Sequence, residues 1–227
     1  MNGKYWRQLD IFDPKKFRGQ KVCIVGAGAI GSMTALILAK MGIEDIAVWD
    51  DDTVEEHNLP NQMYPLVAIG TKKVLALEKL IKDITGIQIK GITSKWKGNG
   101  FGEDVIVIVC TDNMASRKAV WEKVKLNAGV RLFIDARMGG ELMRIYTVDP
   151  MRVSQGQKYE KTLYTDKQAE ELACTKQSII YNLAGISGFI ANQIKKCLNG
   201  DGSNRNEFFN EIIFDYKCMI LEKERWS

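Results

Sequence analysis

Residues 21–62 read KVCIVGAGAIGSMTALILAKMGIEDIAVWDDDTVEEHNLPNQ, and this stretch decides the fold. The apolar run 22–25 predicts a buried parallel strand, and the G-x-G-x-x-G of residues 26–31 follows it and opens a helix. In such a turn Gly26 permits the tight bend, Gly28 lets the backbone approach a phosphate, and Gly31 lets the helix pack on the strand. The unpaired N–H groups at the helix start then favour an anion.

A second predicted strand, residues 46–49, ends in Asp50, which lies 19 positions after Gly31. That separation is close to the ~20 residues that place an acid on a ribose hydroxyl in nucleotide-binding folds. The glycine motif alone also suits a plain tight turn, but the glycines and the acid together predict a nucleotide site. Two classes of ligand stay open at this point, dinucleotides such as NAD or FAD, and ATP.

The residues after Asp50 separate these classes. The segment DDDTVEEHNLPNQ, residues 50–62, resembles the D-x-D-x-V-x-x-x-N-L-x-R-Q signature of the ThiF, MoeB and ubiquitin-activating enzyme family. IGTKK, residues 69–73, is similar to the family's I-G-x-x-K, and CTDN, residues 110–113, with Arg117 after it is similar to T-D-N-x-x-x-R. An early Arg7-Gln8 pair matches as well, so the resemblance covers residues 5–149 well and the rest loosely.

The resemblance implies an ATP site that binds Mg²⁺. The nucleotide-binding positions that it implies are Gly26, Gly28, Gly31, Asp50, Asp52, Asn58, Gln62 and Lys73. It also implies that Asp112 holds Mg²⁺ and supports adenylation, that Lys73 contacts the ATP phosphates, and that Arg7 reaches the phosphates of a partner subunit in a homodimer. One position departs from the pattern, because Asn61 stands where the family has an arginine, and a neutral amide cannot make the same forked, charged contact with a phosphate.

Asp112 follows the apolar run 105–109, which predicts a central parallel strand. Ligands of open α/β sheets bind outside the carboxyl ends of the strands, so this aspartate is well placed for a site. Mg²⁺ takes one or two protein carboxylates together with substrate phosphates, which suits a single aspartate. The alternative is that Asp112 only caps the helix predicted over 113–127.

Cys174 is a second candidate catalytic residue, because it opens the long apolar helix predicted over 176–198. A helix N-terminus stabilises a thiolate, and the placement resembles activating enzymes whose thioester cysteine precedes a helix. A buried, inert cysteine is an equally good interpretation. Cys23 and Cys110 lie in or beside predicted strands and are expected to be inert, and no C-x-x-C pair supports a zinc site.

The 227 residues are 45% hydrophobic and 26% charged, which is typical of one soluble globular domain. A net charge of +4 without a dense basic block gives no reason to expect nucleic acid as a partner. Two uncharged runs, 22–39 and 177–194, are broken by glycine or polar residues and are interpreted as buried structure rather than membrane spans. The lack of an apolar leader and the odd count of five cysteines favour the cytoplasm.

The predicted fold is therefore a doubly wound, Rossmann-like α/β sheet, mostly parallel, in a single adenylation domain over 1–227. Residues 1–20 form an N-terminal arm that docks through Trp6, Leu9, Ile11 and Phe12, and residues 150–173 form a crossover loop without clear periodicity. Residues 174–227 supply the last helix and a strand over 212–221. Further predictions are a helix over 71–84, strands over 87–92, 131–135 and 142–148, and a surface position for His57.

The expected function is ATP-dependent adenylation of the C-terminal carboxylate of a ubiquitin-like or sulfur-carrier protein that ends in Gly-Gly, which the family resemblance implies. Two alternatives remain. An NAD(P)-dependent oxidoreductase shares the glycines and Asp50 but does not explain Lys73 or Asp112. A non-catalytic nucleotide-binding module is motivated by Asn61.

Overall fold

The computed structural model describes residues 3–98, 102–164, 179–199 and 208–226. Within these ranges, eight strands form one sheet in the order β3-β2-β1-β4-β5-β6-β7-β8. The strands are β1 (Lys21–Val25), β2 (Asp45–Trp49), β3 (Lys90–Ile92), β4 (Val105–Val109), β5 (Val130–Gly139), β6 (Leu142–Val148), β7 (Glu211–Asp215) and β8 (Ile220–Glu224). The α-helices of the same ranges are α1 (Ala29–Met41), α2 (Lys73–Thr85), α3 (Met114–Val124), α4 (Val153–Glu160) and α5 (Ile180–Asn199).

The sheet has a parallel part and an antiparallel part. Strands β3, β2, β1, β4 and β5 are parallel neighbours, whereas β5 to β8 pair antiparallel. The carboxyl ends of β1, β2 and β4 therefore meet at one edge of the sheet, and the glycine turn, Asp50 and Asp112 follow these three ends. The prediction of a doubly wound α/β sheet is confirmed, with an eight-stranded mixed sheet that is parallel in its first part.

Alternate residues of the central strands bury opposite faces, as the period of two requires. On β1, Ile24 packs into a core with α1, α2 and α5, whereas Val25 packs into a second core with α3 and Tyr159 of α4. Helices thus cover both faces, which is why strand β4 is apolar at every position. Within the described ranges, no helix is both long and apolar enough to cross a membrane.

Two predictions about the second half of the chain were wrong. The predicted loop over 150–173 contains helix α4, whose buried Gln155 and Tyr159 lie four residues apart on one face. The single strand predicted over 212–221 is the hairpin of β7 and β8, because Asp215 accepts the N–H groups of Lys217 and Cys218 and Met219 takes a φ of 54°. Helix α4 holds few apolar residues, and the apolar run 212–221 continues across the turn that separates β7 from β8, so hydrophobic periodicity reveals neither the helix nor the hairpin.

The remaining bounds differ from the predictions by a few residues. Only Lys90–Ile92 of the strand predicted over 87–92 pairs in the sheet, and β5 continues four residues past Asp135. In the N-terminal arm Phe12 is buried, but Trp6 and Ile11 are more than 60% exposed, so in this chain the arm docks mainly through Phe12.

Candidate functional site

The glycine turn joins β1 to α1, and its three glycines have different surroundings. Gly26 has a φ of 102°, and a Cβ there would lie 2.9 Å from the carbonyl oxygen of Cys110. A Cβ on Gly31 would lie 1.9 Å from the carbonyl oxygen of Gly26, so the helix packs directly on the turn. A Cβ on Gly28 would meet nothing within 4 Å. The turn therefore leaves open space at Gly28, where the motif predicts a phosphate.

The peptide of Ala27 is held from both sides. Its N–H donates to Asp50 Oδ2 at 2.6 Å, and its carbonyl accepts from the Tyr64 hydroxyl at 2.5 Å. The first backbone bond of α1 runs from the Ser32 N–H to the Gly28 carbonyl, so the N–H groups of the preceding helical residues have no partner within the helix. The turn therefore offers backbone donors at the open space beside Gly28, as an anion site requires.

Tyr64 was not predicted, although it lies two residues after the matched signature. It is buried, and burial, with smaller effects from Asp50 and Asp52, raises its pKa well above the usual range. Its hydroxyl therefore keeps its proton and acts as a donor to the turn. A buried aromatic residue with one polar atom gives no periodic signal, so only the geometry identifies this role.

An acidic segment follows β2. The carboxylate oxygens of Asp50, Asp51 and Asp52 lie within 4.8 Å of one another, which is close enough for a shared cation. Asp52 also accepts from Lys73 Nζ at 2.8 Å, and Lys73 is almost buried at the first turn of α2. The structure thus brings three of the predicted residues together, Asp50, Asp52 and Lys73.

Two further predicted residues have buried side-chain atoms. The Oδ1 of Asn58 accepts from the Glu55 N–H at 2.9 Å and closes the short turn Glu56–Asn58, so Asn58 shapes the chain between β2 and α2. The Oε1 of Gln62 and the Oγ1 of Thr111 are buried without a hydrogen-bond partner among the described residues. Buried polar atoms are rarely left unpaired, so these two atoms fit a site that a polar ligand completes.

Asp112 lies just past the end of β4 and is exposed. The helix that follows is capped by Asn113, whose Oδ1 accepts from the Ser116 N–H at 2.8 Å. The alternative role of Asp112 as the helix cap is therefore wrong. Asp112 Oδ1 accepts from the neighbouring Asn113 amide at 2.9 Å, and Asp112 follows the backbone that Gly26 approaches.

A buried ionic cluster lies next to Asp112, and sequence analysis missed most of it. Arg117, from the matched T-D-N-x-x-x-R, donates to Asp135, to the Ala136 carbonyl and to the Thr111 carbonyl. Arg137 donates to Asp135 Oδ2 at 2.9 and 2.6 Å, and the Tyr159 hydroxyl donates to the same oxygen at 2.8 Å. Burial alone would raise the pKa of Asp135. The two arginines lower that pKa by more than burial raises it, so the pKa lies below its usual range.

Arg7 lies away from the glycine turn in its own chain. It is exposed in the turn Gly3–Gln8 with its guanidinium over the Trp6 ring, and the neighbouring Gln8 donates to the Met41 carbonyl at the end of α1. The glycine turn lies at the other end of this helix, ~20 Å away for 13 residues. Arg7 therefore does not serve the site of its own chain.

The cysteines considered in the sequence analysis are Cys23, Cys110 and Cys174. Burial raises the pKa of Cys110 to about 12 and that of Cys23 further, which favours the protonated thiols and agrees with the expectation that both are inert. Cys174 lies outside the described residues. His57 is exposed beside Glu55, which confirms its surface position.

Comparisons with known proteins agree with this architecture. The model of the ThiF family matches residues 6–222. The sulfur carrier protein ThiS adenylyltransferase of Escherichia coli is 27% identical over 210 residues, which are 87% of this chain and 81% of that protein. The adenylyltransferase and sulfurtransferase uba4 of Aspergillus fumigatus is 34% identical over 116 residues, which cover 48% of this chain and only 24% of that protein.

Solved structures show the same fold. The crystal structure of E. coli MccB with ATP covers 100% of this chain and 72% of that chain, with a TM-score of 0.74 and 16% identity. The crystal structure of PaaA covers 100% of this chain and 75% of that chain, with a TM-score of 0.75 and 15% identity. The open glycine turn, the flanking aspartates and the match over almost the whole sequence lead to one conclusion: this chain belongs to the ThiF family of E1-like adenylyltransferases.

Proposed function

We propose that the chain is an ATP-dependent adenylyltransferase that activates the C-terminal carboxylate of a ubiquitin-like or sulfur-carrier protein ending in Gly-Gly. The observation that carries the proposal is the open space at Gly28, with Asp50 bonded to the turn and Asp112 beyond the adjoining strand end. Family membership and the relative named as a ThiS adenylyltransferase support the substrate class. The cytoplasm, where ATP is supplied, is the expected compartment.

The reaction needs no acid–base catalysis by a side chain to activate the substrate carboxylate. One oxygen of the substrate carboxylate attacks the α-phosphorus of ATP, the bond from that phosphorus to the bridging oxygen breaks, and pyrophosphate leaves. A carboxylate is ionised at neutral pH, so no general base is needed. Catalysis then consists of positioning and of charge stabilisation at the phosphates.

Different residues would contact the phosphates, the ribose and Mg²⁺. The N–H groups of the glycine turn and Lys73 bind phosphate oxygens, Asp50 contacts the ribose, and Asn58 and Gln62 complete the nucleotide pocket. Asp112 would hold Mg²⁺, whose charge would offset that of the phosphates. Arg7 would act from a second copy of the chain, which makes a homodimer the expected assembly. Lys73 already pairs with Asp52, so its ammonium is held in place before a phosphate arrives.

Cys174 gives the proposal a second step. Its thiolate attacks the acyl carbon of the adenylate, the bond from that carbon to the phosphate oxygen breaks, and AMP leaves with a thioester on the cysteine. This step is separable, because adenylation is complete without it.

Pyrophosphate exchange tests the first step. We expect ATP–pyrophosphate exchange that depends on Mg²⁺ and on a sulfur-carrier protein of the ThiS kind, and no exchange with the same carrier lacking its last two residues. ATP binding without exchange for any Gly-Gly carrier contradicts the catalytic proposal and favours a binding module, as Asn61 suggests. Binding of NAD without Mg²⁺, and no binding of ATP, favours an oxidoreductase.

A further inference from the structure

The buried ionic cluster around Asp135 joins three charged side chains inside the protein. Asp135 is fully buried, Arg117 and Arg137 are 6% exposed, and each makes several hydrogen bonds inside the protein. A buried ion cluster adds little net stability compared with apolar residues of the same volume, because its charges lose their hydration. A role in positioning is the better explanation for this cluster.

One end of the cluster fixes the backbone before Asp112. Arg117 donates to the Thr111 carbonyl with one arm while Asp135 and the Ala136 carbonyl hold the other. A Cβ on Gly26 would lie 3.3 Å from the Thr111 nitrogen, so the glycine turn rests against the same segment. The Thr111 backbone therefore touches both the turn and the residue proposed to hold Mg²⁺.

The other end of the cluster reaches the chain after α4. Arg137 donates to the Thr162 carbonyl at 2.9 Å and to its hydroxyl at 3.2 Å. Its guanidinium also lies 4.7 Å from the ring centre of Tyr146 and 5.7 Å from that of Tyr164. Arg137 and Arg117 share the carboxylate of Asp135, so a chain of hydrogen bonds connects Thr162 with Thr111.

We propose that Asp135 is a positioning residue for the site. It fixes the Thr111 carbonyl through Arg117, and so sets where Asp112 holds Mg²⁺. It also connects that position to residues 159–164 through Arg137 and Tyr159. The inference rests on the proposed function, because it assigns Mg²⁺ to Asp112.

The test is a Mg²⁺ titration of ATP binding, by calorimetry, on wild type, Asp135→Asn and Arg117→Lys. Asparagine keeps the shape of Asp135 without its charge, and lysine keeps the charge of Arg117 but cannot reach all three acceptors. We expect the Mg²⁺ concentration at half-saturation to rise about 10-fold in both variants, as when a group that orients a metal ligand is lost. ATP binding in EDTA should stay at the wild-type level.

Asp104→Asn is the matched control. It removes a carboxylate paired with Arg131 before β4, at the opposite end of the strand from Asp112, and its Mg²⁺ titration should equal that of wild type. A purely structural role for Asp135 would lower the melting temperature of the variants and leave the Mg²⁺ titration unchanged, and that result overturns the inference.

The outcomes for the two proposals differ. Wild-type ATP binding that does not respond to Mg²⁺ overturns the proposed function and this inference together. Wild-type binding that responds, with unchanged titrations in the folded variants, overturns only the inference. If Asp135→Asn does not fold, the titration of Arg117→Lys decides.

Discussion

Two charged regions lie at the carboxyl edge of the sheet, and they differ in burial. The side chain of Asp52 beside the glycine turn is 65% exposed, whereas that of Asp135 behind Asp112 is 0% exposed. Asp135 accepts hydrogen bonds from four donor groups on three side chains, so its charge is compensated inside the protein. The exposed region leaves backbone donors and carboxylates facing open space. The difference supports the proposals that the exposed region binds a ligand and that the buried region positions the site.

The largest expected effect is on stability, at the buried region. Asp135→Asn leaves two arginines inside the protein without a counter-charge, and breaking such a pair costs about 3–5 kcal/mol. Asp104→Asn breaks an exposed pair and should cost less than about 1 kcal/mol. Urea unfolding of both variants measures the difference, and equal losses would contradict the contrast between buried and exposed charges.

Two glycine-to-alanine substitutions in the glycine turn each add one methyl group, and they are expected to have opposite effects on stability and on ATP binding. Gly31→Ala places a Cβ on the carbonyl of Gly26, and we expect a loss of about 1–3 kcal/mol or more in the free energy of unfolding. Gly28→Ala meets no protein atom, so the fold should keep its stability while ATP affinity falls, because the methyl group fills the space proposed for a phosphate.

Thermal unfolding with and without ATP and Mg²⁺ separates the two glycines. A Gly28→Ala variant that binds ATP as wild type does would show that the open space is not the phosphate site. A Gly31→Ala variant as stable as wild type would show that the turn and the helix can separate at little cost.

The pH dependence of stability gives a smaller effect. The folded pKa of Asp135 is lowered, so its stabilising contribution is complete above the unfolded pKa of about 3.9 and is lost as the pH falls through the folded value. The difference in the free energy of unfolding between wild type and Asp135→Asn should therefore decrease below about pH 4, by at most ~1.4 kcal/mol per pH unit. A difference that stays constant or increases between pH 5 and pH 3 contradicts a lowered pKa.

The parallel part of the fold was predictable because its signals are local. The apolar runs of β1 and β4, the glycine turn and the acid after β2 each follow from steric and burial rules within a few residues of the chain. The residues from Gly26 to Lys73 also follow a family signature. In the structure Asp50, Asp52 and Lys73 lie next to one another.

The antiparallel part was less predictable because its signals are long-range. Helix α4 buries one aromatic residue, Tyr159, which meets Asp135, 24 residues earlier in the chain. Asp135 and Arg137 look like ordinary charged residues in the sequence, and only the packing of α3 and α4 on β5 makes them a buried cluster. The contact of Tyr64 with the glycine turn was not predictable for the same reason, because its partner Ala27 is 37 residues away.

The most direct test of the adenylation account is calorimetry of wild type and Asp112→Asn with ATP and Mg²⁺, ATP and EDTA, and NAD, with Asp104→Asn as the control. The account predicts that wild type and the control bind ATP with Mg²⁺ and that Asp112→Asn weakens this binding about 10-fold or more, as for loss of a metal-site carboxylate. Binding of NAD in place of ATP, or Mg²⁺-dependent ATP binding that is equal in all three proteins, would contradict it.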